Sequence, residues 1–311
     1  MPAPPPDARS LQAEVVGLEP CGDDGVLLRL RPERELAPVR ASRFFMLRRR
    51  DRLSPLIPRP FSLYRQRGAE LEFLIKVMGR GTRALAASRP GDVLALIGPL
   101  GNGWPALAGG GPPWVMLAGG VGSAPFYLGI QQALAGMDGE RPASKDELVY
   151  LFGAARRGLL YDLERFRALG VRVFTATDDG SEGLRGNVVQ LFEKLVQEGT
   201  LPARVRLLAC GPDPMLRAVA ELARERGLPC WLSLETLMGC GVGICNACPV
   251  ATVPDGPLGG WSNAKCCVEG PVFAAHAIRL EAHGQHGTPR HAPAPPPAEA
   301  PHEPERGRTG N

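Results

Sequence analysis

Residues 114–136 read WVMLAGGVGSAPFYLGIQQALAG, a continuous apolar strand that runs into glycines and then into a helical stretch. The alternation continues downstream through LVYLFGA (148–154), YDLERFRALG (161–170), VRVFTAT (171–177), VVQLFEKLVQEG (188–199), VRLLACG (205–211) and PMLRAVAELARERG (214–227). Strands that alternate with helices imply a parallel sheet with crossover helices on its faces. In the first turn, Gly119, Gly120 and Gly122 follow a strand and open a helix, the context in which glycines bring backbone N–H groups to a pyrophosphate. The turn departs from G-x-G-x-x-G, and a tight strand–helix turn with no ligand is the plainer alternative. A second loop, Cys210-Gly211-Pro212-Asp213-Pro214-Met215, ends a later strand of the same sheet. Ligands of open parallel sheets lie beyond the carboxyl ends of strands, so these two loops are expected to share one nucleotide.

Upstream the pattern is different. VLLRL (26–30), FFMLR (44–48), LEFLIKVM (71–78) and VLALIG (93–98) are short runs separated by turn residues, which predicts a small antiparallel barrel over 11 to about 105. Within it, Arg59-Pro60-Phe61-Ser62 and Lys76-Val77-Met78-Gly79-Arg80-Gly81-Thr82 supply a guanidinium, a hydroxyl and glycines, the donors a flavin dinucleotide needs. R-P-x-S alone also fits a strand entered through a proline beside a solvated arginine. Arg48, Arg49, Arg50 and Arg52 read as a solvated or partner-facing loop. Cys210 falls where a nicotinamide would meet the flavin, although a small buried thiol is an equally ordinary role.

Residues 238–273 read MGCGVGICNACPVATVPDGPLGGWSNAKCCVEGPVF. Cys240, Cys245 and Cys248 with a later cysteine give the C-x4-C-x2-C...C spacing of a plant-type 2Fe-2S site, and a cluster that moves single electrons points to electron transfer. Glycines at 239, 241 and 243 let the loop wrap closely and turn N–H groups toward sulfur. The competing reading is structural zinc, but zinc modules pair their ligands as C-x2-C knuckles, whereas one compact loop carries three cysteines here. Spacing leaves the fourth ligand open between Cys266 and Cys267. Cys21 and Cys230 stand alone and read as structural.

Composition narrows the classes. The 311 residues suffice for two ordinary domains and a smaller module, and 44% hydrophobic content fills real cores. Lys plus Arg exceed Asp plus Glu by only 36 to 32, too small and scattered an excess to make nucleic acid the main partner. MPAPPPDARS has no apolar stretch to act as a signal peptide, so a cytoplasmic location is expected, with thiols free or bound to metal. No charged residue occurs from Val93 to Met137, yet Pro99, Pro105, Pro112, Pro113 and Pro125 break the run and argue against a membrane span. All five histidines (276, 283, 286, 291 and 302) lie near or within the carboxyl-terminal tail, which leaves little room for a Ser-His-Asp or Cys-His hydrolase.

RPFS, GRGT, GGVGSAP, TDDGSEGLRG, CGPDPML, the cysteine loop and CCVEGPVF occur in an order that resembles the electron-transfer subunits of type B dihydroorotate dehydrogenase, in the ferredoxin reductase-like superfamily. The resemblance spans about residues 11 to 282 and implies an FAD barrel, an NAD-binding α/β domain and a 2Fe-2S module. The expected division is a flexible terminus at 1–10, FAD barrel 11–108, NAD domain 109–230, cluster module 231–282 and a disordered Pro-rich tail at 283–311. Carried over by motif, Arg59 to Ser62, Leu74, Ile75, Lys76, Gly81 and Thr82 would bind FAD. The last cluster ligand precedes the Gly of G-P-V-F by three residues in the family, which selects Cys267 and places Cys266 where an apolar residue is usual. The resemblance also implies a catalytic partner subunit that holds FMN and oxidises dihydroorotate in pyrimidine (UMP) synthesis. The complex would be a heterotetramer of two copies of each subunit, with electrons passing through the cluster and FAD to NAD+. No general acid or base from this chain is required for hydride transfer.

Rival readings are the flavin and iron-sulfur subunit of an NADH-dependent ferredoxin:NADP+ oxidoreductase or a sulfide dehydrogenase, and a non-catalytic zinc-stabilised nucleotide-binding module. Arg156 and Arg157, after the second strand of the parallel sheet, could accept a 2'-phosphate, which leaves the choice between NADH and NADPH open.

Overall fold

The computed structural model describes residues 7–50 and 55–280. The flexible terminus expected at 1–10 lies mostly outside these residues, as do Arg52, the tail at 283–311 and four of the histidines.

The amino-terminal half is a seven-stranded antiparallel sheet. Its strands are β1 (Arg9–Cys21), β2 (Gly25–Pro32), β3 (Phe44–Arg49), β4 (Arg59–Ser62), β5 (Arg65–Arg67), β6 (Glu70–Lys76) and β7 (Val93–Leu100), with α1 (Arg80–Ala86) after β6. They pair in the order β4-β3-β7-β1-β2-β6-β5, which puts β4 and β5 on opposite edges. Only Leu63 and Tyr64 separate these strands in sequence, so the sheet has to curl until its edges nearly meet. That curl makes a half-barrel. Alternation along β1 buries Ala13 and Val15 and leaves Gln12 and Glu14 in water, the period of a strand with one dry face.

The second half is the expected parallel sheet. Its elements are β8 (Trp114–Gly119), α2 (Ala124–Ala135), β9 (Leu148–Ala154), α3 (Leu163–Ala168), β10 (Arg172–Thr177), β11 (Leu184–Arg185), α4 (Val188–Gln197), β12 (Arg206–Cys210), α5 (Asp213–Arg226) and β13 (Cys230–Ser233). The strand order is β11-β10-β9-β8-β12-β13, closed on the far side by an antiparallel strand, β16 (Val272–Ala274), from the cysteine-rich region. β8 and β9 are buried almost throughout because helices cover both faces, which explains their unbroken apolar runs. The division expected at 230/231 falls inside β13. A small hairpin, β14 (Pro249–Ala251) with β15 (Asn263–Lys265), completes the cysteine-rich module.

A polar seam joins the two halves. Glu72 of β6 is 4% exposed and lies 2.8 Å from Arg65 and 3.2 Å from Arg165 of α3. The Tyr64 hydroxyl donates to Asp162, whose φ of +56° turns its carboxylate back toward the barrel. The Ser42 and Ser233 hydroxyls meet at 2.9 Å in the buried contact between β13 and the barrel.

Candidate nucleotide crevice and cysteine site

β8 and β12 are hydrogen-bonded neighbours and end at Gly119 and Cys210. From β8 the chain builds outward through β9 and β10 on one side, then returns to build β12 and β13 on the other. In an open parallel sheet the ligand crevice opens at this reversal. The glycines are fitted to it. A Cβ on Gly119 would stand 2.7 Å from Met215 Sδ and Pro212 Cδ, one on Gly211 would stand 2.9 Å from Met215 Cε, and one on Gly122 would overlap the Cys210 carbonyl. Gly120 differs: its φ is +53°, and nothing lies within 4 Å of where its Cβ would be. Three glycines therefore let the two loops touch, and the fourth leaves the crevice open above them. The amino ends of α2 and α5, each with proline in its first turn, rise from these loops and turn the positive ends of two helix dipoles toward the crevice.

The barrel residues expected at the flavin lie on β4, β6 and α1, and β6 packs against the glycine loop after β8. Arg59, Pro60, Phe61 and Ser62 are half-buried along the whole of β4, Leu74 and Ile75 are buried in β6, and Lys76 at its end is half-buried. Arg59 lies over Gly81, where a Cβ would stand 3.0 Å from Nε, and its guanidinium donates to the Ile57 carbonyl at 2.7 Å. The Thr82 hydroxyl accepts from the N–H groups of Met78 at 2.8 Å and Gly79 at 3.0 Å, so Thr82 shapes the turn that presents Gly81. One expectation changes: Arg49 is only 9% exposed and is bound to Asp92 at 3.0 Å and Ser88 at 3.1 Å, so it braces the barrel rather than facing solvent or a partner.

Cys210 sits at the crevice floor. Burial pushes its thiol up to about 12, the nearby Glu235 charge adds to the effect and a hydrogen bond with Ser233 opposes it, so the thiol is neutral at pH 7. Glu235, just beyond β13, was invisible to motif reasoning. It touches solvent at the crevice mouth yet is walled by protein; that enclosure, with Asp213 nearby, raises its carboxyl against the opposing pull of Lys76. The available signal was its place at the carboxyl end of the strand beside β12.

The cysteine loop packs on the barrel. A Cβ on Gly241, whose φ is +75°, would stand 2.6 Å from Met46 of β3 and 3.1 Å from Leu100 of β7. This close approach requires glycine and brings the sulfurs to the barrel wall. Val242 and Cys245 N–H groups donate to Cys240 Sγ at 3.4 and 3.5 Å. Burial raises the Cys240 thiol, but these N–H groups and the Cys245 thiol outweigh it and bring the group down to about 7. Cys248 and Cys267 form a second pair, Sγ to Sγ 3.2 Å. Hydrogen bonding to Cys267 lowers Cys248 to about 6 and raises Cys267, so one proton stays on Cys267. Cys267 also feels the charge of Cys240, which ties the two pairs together. Cys266 points elsewhere, with its sulfur 3.7 Å from the Leu234 carbonyl and its thiol pushed up to about 12 by burial. Among the described residues no three His, Cys, Asp or Glu side chains close around a single ion. Two linked pairs suit two bridged irons better than one tetrahedral zinc.

Comparison with known proteins agrees with this geometry. A family described as the iron-sulfur cluster binding domain of dihydroorotate dehydrogenase B matches residues 235–279, and the oxidoreductase NAD-binding domain family matches 116–221. The chain is 37% identical over 230 residues to the dihydroorotate dehydrogenase B (NAD(+)) electron transfer subunit of Bacillus caldolyticus, covering 73% of this chain and 81% of that one. The chain belongs to this family. The subunit of the same name from Geobacillus thermodenitrificans is 39% identical over 232 residues, with the same shares covered. Among solved structures, an NADH-dependent reduced ferredoxin-NADP oxidoreductase superposes with a TM-score of 0.72 at 24% identity, over 88% of this chain and 92% of that one. The ferredoxin reductase of carbazole 1,9a-dioxygenase gives 0.57 at 20% identity, over 71% and 67%. These two share the fold. As an electron transfer subunit of dihydroorotate dehydrogenase B, the chain is part of an oxidoreductase with iron-sulfur and NAD-binding domains, serves pyrimidine biosynthesis, and works with a catalytic partner subunit. Among the described residues no helix is long and apolar enough to cross a membrane.

Proposed function

We propose that this subunit carries electrons from the FMN of a dihydroorotate-oxidising partner, through its own cluster and FAD, to NAD+. A heterotetramer of two copies of each subunit, working in the cytoplasm, suits that task. The bound cluster supplies one-electron transfer and the flavin supplies the exchange between single electrons and a hydride pair. Cys240, Cys245, Cys248 and Cys267 hold the irons, with the Val242 and Cys245 N–H groups stabilising sulfur charge. Arg59 to Ser62, Leu74, Ile75, Lys76, Gly81 and Thr82 hold FAD: Arg59 and Gly81 take the pyrophosphate, and Ser62 stands toward the ring. Gly119, Gly120, Gly122, Cys210, Gly211 and Pro212 shape the nicotinamide coenzyme's seat. Leu237 and Ile244 are 67% and 79% exposed beside the exposed Cys245, and this apolar rim is the face that meets the partner.

The observation that carries the proposal is the contact of Gly241 with Met46 and Leu100, which sets the cysteine loop against the barrel with no intervening layer. Co-expression with a candidate FMN-binding dihydroorotate dehydrogenase, followed by an assay of dihydroorotate-dependent NAD+ reduction, tests it. Stable association with coupled turnover is expected. Failure of the two to associate or couple removes the partner assignment, and anaerobic material lacking iron and acid-labile sulfide removes the cluster route.

A further inference from the structure

Arg156 and Arg157 leave β9 at the carboxyl edge of the sheet, one strand from the glycine loop. In sheets of this kind the adenosine ribose of the coenzyme lies near that point, where a carboxylate meets the 2'-hydroxyl of NAD and an arginine meets the 2'-phosphate of NADP. By sequence the two arginines leave both coenzymes open. The structure gives them other partners. Arg156 Nε donates to Asp23 Oδ2 at 2.7 Å, and Asp23 belongs to the barrel, in the turn between β1 and β2. The Asp23 N–H donates to the Gly158 carbonyl at 2.8 Å, and a Cβ on Gly158 would collide with the Asp23 carboxylate, so the two turns are seated on each other. The Arg157 N–H donates to Ser181 Oγ at 2.8 Å, that hydroxyl donates to Asp179 Oδ1 at 2.6 Å, and Arg157 Nε lies 3.8 Å from Glu182 Oε2. Asp24 sits beside Asp23, accepts from the Tyr161 hydroxyl and faces Lys76 Nζ at 3.7 Å.

Glu182 is shared with Arg167 at 2.7 Å, and Asp24 is answered by Lys76. Around Arg156 itself, Asp23, Asp24 and Asp179 crowd a single guanidinium, so carboxylates outnumber it there. We propose that Asp23, supplied by the flavin barrel, is a specificity-determining residue for the coenzyme: it engages Arg156 and, with Asp179, leaves a field that accepts the ribose 2'-hydroxyl of NAD+ and repels the 2'-phosphate of NADP+. Selectivity here is built as much by repulsion as by attraction. Arg156 is 53% exposed and Asp23 45%, so the solvent-screened discrimination amounts to about tenfold per carboxylate rather than absolute rejection. The inference rests on the reading of the crevice as the coenzyme seat and adds the residue that chooses between coenzymes.

The test uses the purified, cluster- and flavin-loaded protein with ferricyanide as acceptor, reading the ratio of kcat/KM for NADPH to that for NADH. Asp23→Asn should raise this ratio at least tenfold, and Asp23→Asn with Asp179→Asn should raise it further. Adding Arg156→Ala to Asp23→Asn should return it to the wild-type value. Inhibition by 2'-AMP, measured on the same proteins, should tighten at least tenfold in Asp23→Asn. A ratio that stays within threefold, or a gain that survives Arg156→Ala, overturns the proposal. A variant that merely loosens the seam loses both activities together, keeps the ratio fixed and counts against it. Wild-type protein that oxidises neither coenzyme would instead defeat the crevice reading itself.

Discussion

Asn102 and Val272 exchange both hydrogen bonds of an antiparallel strand pair, although Asn102 lies outside any strand. The Val272 N–H donates to Asn102 Oδ1 at 2.9 Å, and Asn102 Nδ2 donates to the Val272 carbonyl at 2.8 Å and to that of Glu269 at 2.8 Å. The Asn102 N–H donates to the Gly270 carbonyl at 2.6 Å. One amide side chain, carried just after β7 of the barrel, therefore occupies the free edge of β16 and anchors the cysteine module two and five residues beyond Cys267. Asn102→Ala removes three hydrogen bonds and leaves half-buried backbone groups unpaired, a loss of about 2 kcal/mol. A lower melting temperature and faster loss of the visible cluster absorption should appear together.

Gly122 and Gly120 are two residues apart yet should behave oppositely. Gly122→Ala drives a Cβ into the Cys210 carbonyl and forces the two loops apart, at a cost of about 1–3 kcal/mol with a large rise in the KM for NADH. Gly120→Ala meets no atom within 4 Å and pays only for its left-handed backbone, about 1 kcal/mol. Steady-state kinetics beside chemical denaturation separates the two.

The cysteine pair is decided by iron analysis. Cys267→Ser breaks the 3.2 Å contact with Cys248 and should abolish bound iron and acid-labile sulfide. Cys266→Ala removes a sulfur turned toward Leu234 and should retain both. The reverse outcome would exchange the two assignments.

In the metal-free chain, Cys240 should set a pH dependence. Its ordinary value of 9.0 falls to about 7 in the fold, with burial opposing the shift and the Cys245 and Val242 N–H groups driving it. An acid whose folded value is depressed adds stability that is complete above pH 9 and is lost as pH falls through about 7. Because the group is only partly buried, the gain is at most about 1 kcal/mol. Urea midpoints should rise from pH 7 to pH 9, and alkylation of Cys240 by iodoacetamide should show a midpoint near 7 while Cys230 and Cys266, both held near 12, stay unlabelled.

Glu72→Gln tests the seam between the halves. It leaves Arg65 and Arg165 facing each other without their shared carboxylate, and breaking a buried pair in this way costs about 3 kcal/mol. Denaturation should shift accordingly, while Tyr64→Phe, which removes only one hydroxyl contact with Asp162, should shift it by about 1 kcal/mol.

Much of this molecule is readable from residue order. The unbroken run 114–119 announced a strand buried on both faces, and the glycines after it announced the crevice, because a parallel sheet leaves a period and a punctuation that chemistry enforces. The cysteine loop was legible for the same reason: metal coordination fixes spacing. What escaped were contacts made across the chain. Arg49 looked solvated because nothing local says that Asp92 and Ser88 will close over it. Arg156 looked free to meet a phosphate because its partner, Asp23, comes from 133 residues earlier. Glu235 carries no motif and gains its setting only when β13 is laid beside β12.

The three-residue strand β16 has a bearing on how such a protein can be taken apart. Since β16 is the outermost rung of the parallel sheet, a fragment that stops before the cysteine loop would leave the backbone of β13 bare along one side, open to pairing with any passing chain. The metal-binding segment is thus grafted into its neighbour's architecture, and recombination at that border would yield sticky halves rather than interchangeable building blocks.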